Sequence, residues 1–89
     1  MKLVKVTANS RVAAVAGAIA GFIRDLSAVE VQAIGAPAVN QMVKAIITAR
    51  RYLSDEGVAT SCEPSFVDLD IDGAERTAIR FTIATVGTA

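Results

Sequence analysis

The stretch Glu30–Ile47, EVQAIGAPAVNQMVKAII, sets the terms for everything around it. Val31, Ala33 and Ile34 are apolar, and Gly35-Ala36-Pro37 follows them. Glycine bends the backbone without a Cβ clash, and proline suits a first helical turn, where the amide it lacks would be unpaired anyway. Beyond the break, apolar residues recur at Val39, Met42, Val43, Ile46, Ile47 and Leu53, which is helical spacing. A polar stripe of Gln41, Lys44, Thr48, Arg51 and Asp55 runs opposite. The stretch therefore predicts a buried strand over about Ala28–Ile34 that turns sharply into a helix over about Pro37–Ser54. The open start of that helix has bare amides and a partial positive charge, the elements of an anion site. Most turns of this kind bind nothing, so the motif alone identifies no ligand.

The rest of the chain hangs on that joint. Leu3, Val4 and Val6 among lysines predict a first strand over Lys2–Thr7. Asn9-Ser10 forms a turn and N-cap pair. A first helix over Arg11–Leu26 carries a core stripe of Val12, Val15, Ile19, Phe22, Ile23 and Leu26. Its other side, Ala14, Gly17, Ala18 and Gly21, is smooth. Each interior glycine costs about 1 kcal/mol relative to alanine, so close approach by the second helix, the sheet or a second subunit is expected. Gly57 is placed as the left-handed cap of the second helix. A strand–helix–strand order predicts parallel strands, with both helices starting at one end of the sheet. That brings Asn9, Ser10 and Arg11 near Ala36, Asn40, Gln41 and Lys44.

The final third reads as a hairpin. Val58, Thr60 and Cys62 share one parity, whereas Val67, Leu69 and Ile71 take the other, which predicts a bulge at Pro64–Phe66. The returning strand sets Thr77, Ile79, Phe81 and Ile83 on one face and Arg76, Ala78, Arg80 and Thr82 on the other. Asp72-Gly73 suits a two-residue turn, but that turn puts the two apolar rows on opposite faces. A three-residue loop, Ile71-Asp72-Gly73, aligns them and sets Asp68 across from Arg76. Gly87-Thr88-Ala89 is expected to fray.

At 89 residues the chain is expected to be one domain, spanning 1–89, that buries only about 60% of its unfolded surface. Its hydrophobic content of 53% is high for that size and hints at contact with a second copy. Nine basic and nine acidic residues cancel, so net charge makes no case for a polyanion partner. Cys62 is the sole cysteine and His is absent, which excludes an internal disulfide, a Cys–His nucleophile and Cys/His zinc sites. Asp68, Asp70 and Asp72 share a strand face and read as a solvated row, not a metal site. No nucleophile–base pair stands out, so catalysis is not expected, nor is a cofactor. Val12–Ile23 is uncharged but too short to span a bilayer, and Arg24-Asp25 follows it where a cleavage site would be. A cytoplasmic protein without membrane contact is expected.

VAGAIAG at Val15–Gly21, QAIGA at Gln32–Ala36, NQMVKAI at Asn40–Ile46 and IDGAERTAI at Ile71–Ile79 resemble, in the same order, the stage V sporulation protein S family of bacteria. The similarity runs from about Lys5 to Ile83; Pro37 departs from the small residue associated with its position. That family is similar to Alba, a βαβαββ domain of dimeric DNA- and RNA-binding proteins. The resemblance implies an α+β fold: a two-layer sandwich of two helices on a mixed four-stranded sheet, assembled as a homodimer. It also implies a developmental, sporulation-linked regulatory role with binding of DNA or RNA. The candidate contacts are Arg11, Lys44, Arg76 and Arg80 for phosphates, with Asn9, Ser10, Asn40 and Gln41 at the helix starts. Few cations against an acidic hairpin predict weak, salt-sensitive binding. The alternative is a protein-interaction or scaffold module, favoured by the apolar surplus and the smooth Gly17/Gly21 face.

Overall fold

The computed structural model describes residues 1–87. Thr88 and Ala89, part of the expected frayed end, lie outside the described residues. The element order is β1 (Leu3–Val6), α1 (Val12–Leu26), β2 (Ala28–Ala33), α2 (Ala36–Asp55), β3 (Thr60–Ile71) and β4 (Ala74–Thr85). One four-stranded sheet runs in the order β1-β2-β4-β3. β1 and β2 are parallel, and β4 is antiparallel to both of its neighbours.

Alternation along β2 decides which side of the sheet is covered. Val29, Val31 and Ala33 are buried, and their partners on β4, Ile83, Phe81 and Ile79, share that side. The helices pack here, with Ile19, Ile23, Met42, Ile46 and Leu53 pointing inward. Alanines at 16, 20, 45 and 49 are fully buried, as expected where α1 packs on α2. The turn that launches α2 is the sharp one read from sequence. Gly35 sits at φ 87°, ψ 153°, a region essentially closed to residues with a Cβ. Gly57 is left-handed just past α2, and its N–H donates to the Ser54 carbonyl at 3.0 Å.

Four expectations need correction. Leu26 is 52% exposed and leaves the α1 core stripe, because α1 ends there in a left-handed Ser27. Val43 and Ile47 on α2 are likewise exposed, whereas Ala38, Ala45 and Ala49 fill the core. No bulge interrupts β3: its pairing with β4 is continuous from Thr60↔Thr85 to Ile71↔Ala74. The loop is the two-residue turn, with Asp72 at φ 52° and Gly73 at φ 80°. Leu69 therefore lies opposite Arg76, and Asp68 opposite Thr77, whose hydroxyl donates to it at 3.1 Å. The physical reason is overhang. β4 is paired to β2 only as far as Ile79, so the ribbon beyond has no helix layer to enforce a common apolar face. There the turn chemistry wins.

The uncovered side of the sheet carries one buried polar residue. Gln32 is 6% exposed, and its Oε1 accepts from Arg80 Nε at 3.0 Å and Nη2 at 2.5 Å. Arg80 Nη1 also lies 3.6 Å from Glu30. At the opposite end of the helices, Arg24 grips Glu56 through three hydrogen bonds of 2.6–3.2 Å. That contact holds the Glu56 carboxyl below its usual range. Its contribution is present above the unfolded carboxylate pKa and is lost as pH falls through the lower folded value.

Two outcomes follow from this packing. A Cβ built on Gly17 meets nothing within 4 Å, which excludes helix and sheet of the same subunit as the close neighbour. Gly17→Ala is expected to raise stability by about 0.5–1 kcal/mol in urea unfolding of the isolated chain; a loss would show that another surface covers this face. Arg80→Ala strips the donors from a buried acceptor and is expected to lose about 1–3 kcal/mol in the same assay. Adding Gln32→Leu should recover part of that loss.

Candidate nucleic-acid interface

The two helices begin side by side with their ends open. Asn9-Ser10 does not cap α1 as expected. Ser10 Oγ instead accepts from the Thr7 N–H at 2.8 Å, and the Ser10 N–H donates to the Thr7 carbonyl at 3.1 Å, closing a turn on itself. The N-cap is Arg11, in extended backbone, with no side-chain cap. α2 starts from Gly35, also without a side-chain cap. Neither first turn contains an acidic residue. Gln41 Nε2 donates to the Ser10 carbonyl at 2.9 Å and ties the two starts together. Two parallel dipole ends thus meet at one edge with no carboxylate to neutralise them.

The hairpin returns to that edge. Leu69, Asp70 and Ile71 line a groove together with Thr7, Ala8 and Pro37. Asn40 borders a second groove, with Phe66 and Thr77 of the ribbon. Asn9, Arg11 and Lys44 are exposed. Among the described residues the ion pairs are Arg24–Glu56 and Arg80–Glu30, so Arg11, Lys44 and Arg76 have no carboxylate within 4.0 Å. The structure does not gather all the candidates at one point. Arg11 and Lys44 belong to the helix layer, whereas Arg76 pairs with Leu69 on the uncovered face of the ribbon. Arg80 lies on that face too, its guanidinium already held by Gln32 and Glu30.

The acidic residues of the ribbon are arranged differently from the expected row. Asp68 and Asp70 share the face opposite Arg76, but Asp72 enters the left-handed turn. Asp70 Oδ1 accepts from the Gly73 N–H at 3.0 Å, which braces the turn. Among the described residues no three His, Cys, Asp or Glu groups are placed to hold a metal ion. Cys62 is half-buried, and desolvation raises its thiol pKa against a smaller opposing effect of Arg50. Such a thiol is a poor nucleophile. The sequence reading missed Lys5 and Gln32. They pair across β1 and β2, and Gln32 pairs in turn with Arg80, a row set by register between distant segments.

Comparison with known proteins agrees with this architecture. A structure of Alba from Thermoplasma volcanium superposes with a TM-score of 0.61, covering 93% of this chain and 99% of that one at 13% identity. At that identity the likeness concerns the fold. The family model for stage V sporulation protein S matches residues 2–86. No described helix is long and apolar enough to cross a membrane. With the family model matched from β1 through β4 on an Alba-like βαβαββ sandwich, the chain belongs to the stage V sporulation protein S family.

Proposed function

We propose that this chain is a nucleic-acid-binding homodimer with a sporulation-linked regulatory role, working by binding and not by catalysis. The observation that carries the reading is the pair of adjoining helix starts, uncapped, free of acid and bridged by Gln41. Phosphate groups suit such an edge, since backbone amides and helix dipoles both favour negative charge. Arg11 and Lys44 add cations without ion-pair partners among the described residues, and Arg76 adds one from the ribbon. With so few cations, binding is weak and dominated by backbone phosphate, with little base selectivity. Dimerisation has its own support. Phe66 is 79% exposed beside a groove lined by Val39, Val43 and Ile79, with Ile47 also exposed on α2. A projecting ring next to an apolar hollow on one face is self-complementary, which a two-fold interface requires.

Labelled single- and double-stranded DNA and RNA, titrated at low and physiological salt, are expected to bind only in the low-salt series. Arg11→Gln, Lys44→Gln and Arg76→Gln should each weaken binding and flatten the log–log salt slope by about 0.7–0.9 per lost phosphate contact. Absence of binding to all four at low salt rejects the reading and leaves a protein-interaction module in its place. Separately, Phe66→Asp is expected to give a monomer by sedimentation with unchanged far-ultraviolet dichroism, whereas Phe66→Leu stays dimeric. A dimeric Phe66→Asp variant would move the interface elsewhere.

A further inference from the structure

The groove between the ribbon and the helix-start edge continues onto the uncovered face of the sheet as a recess, and the nucleic-acid reading makes no use of Lys5 and Gln32 in it. Register places Lys5, Gln32 and Arg80 side by side across β1, β2 and β4. All three present hydrogen-bond donors, and two are cations. Gln32 is 94% buried by its 6% exposure, and Arg80 occupies its carbonyl oxygen, which turns the amide nitrogen the other way. Among the described residues that nitrogen makes no hydrogen bond, yet no buried polar side-chain atom is left unpaired. The nitrogen therefore keeps some exposure, and Gln32 lines the recess. Around this row the walls are apolar: Leu3 from β1, Ile34 and Pro37 from the joint, Leu69 and Ile71 from the ribbon. The volume of this half-open groove is about 680 Å³, within the range of small-molecule sites.

The surrounding charges select the size of the occupant. The next row along the strands holds Glu30 and Glu63, and Asp70 stands in the wall. A polyanion laid over this face meets all of these carboxylates, whereas a single compact head at the Lys5 and Gln32 end of the row leaves Glu30 to its 3.6 Å pair with Arg80 and faces only Asp70 in the wall. The geometry points to a small organic carboxylate with an apolar body as the ligand of this recess. Its carboxylate accepts from the Lys5 ammonium and the Gln32 amide beside the Arg80 guanidinium, and its hydrocarbon lies against Leu69 and Ile71. Arg80, pinned by Gln32, acts as a fixed charge and pays little rotamer entropy on binding.

The test uses the full chain, labelled with nitrogen-15, and octanoate as the probe, with octanol and inorganic phosphate as controls. Octanoate is expected to shift the Gln32 side-chain amide and the backbone amides of Leu3–Val6 and Leu69–Ile71 in a saturable way. Octanol and phosphate should leave them in place. Lys5→Gln, at an exposed position that tolerates change, should weaken octanoate about tenfold, the equivalent of one charged contact; Ile71→Ser should weaken it as well. The proposal is overturned by any of three results. One is no saturable shift below the micelle threshold, or equal shifts with octanol or phosphate. Another is shifts confined to the Val39–Phe66 groove, and the last is unchanged affinity in both variants. None of these outcomes depends on whether DNA or RNA binds at the helix starts.

Discussion

Everything else in the molecule is placed by the inward turn of Val29, Val31 and Ala33 on β2. Those side chains are withdrawn from water almost completely. A slip of one residue would expose all of them and bury Glu30 in their stead, so the register of β2 with β1 and with β4 is fixed by burial. Once that register is set, the chain leaves β2 at Gly35, where only glycine fits the required backbone. α2 then starts beside α1, and the long ribbon crosses back over the same end. The site and the fold are consequences of one alternation pattern.

Where the core rules, the sequence was readable. The alternation of β1 and β2, the helical spacing of Met42, Ile46 and Leu53, and the Gly35-Ala36-Pro37 break gave the element order and the shared edge of the helix starts. Reading failed where the core no longer reaches. Val67, Leu69 and Ile71 look like a buried row, but they lie on the overhanging ribbon, on the side away from the helices. The local signal, Asp72-Gly73 with both residues left-handed, was the better guide there. Burial decides register only where the helices cover the sheet, and β4 runs past its pairing with β2 beyond Ile79. The missed Ser10 geometry has a similar origin, since a short polar side chain serves its own turn as readily as the next helix.

The Lys5–Gln32–Arg80 row was illegible for a different reason. Its members come from three strands, and Gln32 and Arg80 lie 48 positions apart. No local spacing announces them; they become neighbours only when register is known. The neutral total charge misleads in the same manner. Nine cations balance nine anions over the chain, yet the first turns of both helices contain no acid at all. Charges more than about 8–10 Å away are largely screened in physiological salt, so an approaching ligand feels this local distribution and not the sum.

The strand order leaves β3 as an outer border of the sheet, twelve residues long and unpaired along its free side. Such a border invites further strands, from copies of the same chain above all, and would seed fibrous aggregates if it were uniform. Pro64 stands in its middle with no N–H to offer, and Glu63 sets a carboxylate beside it. The pair breaks the border into two short lengths, neither of which makes a good template. A protein rich in valine and isoleucine thereby keeps its sheet finite.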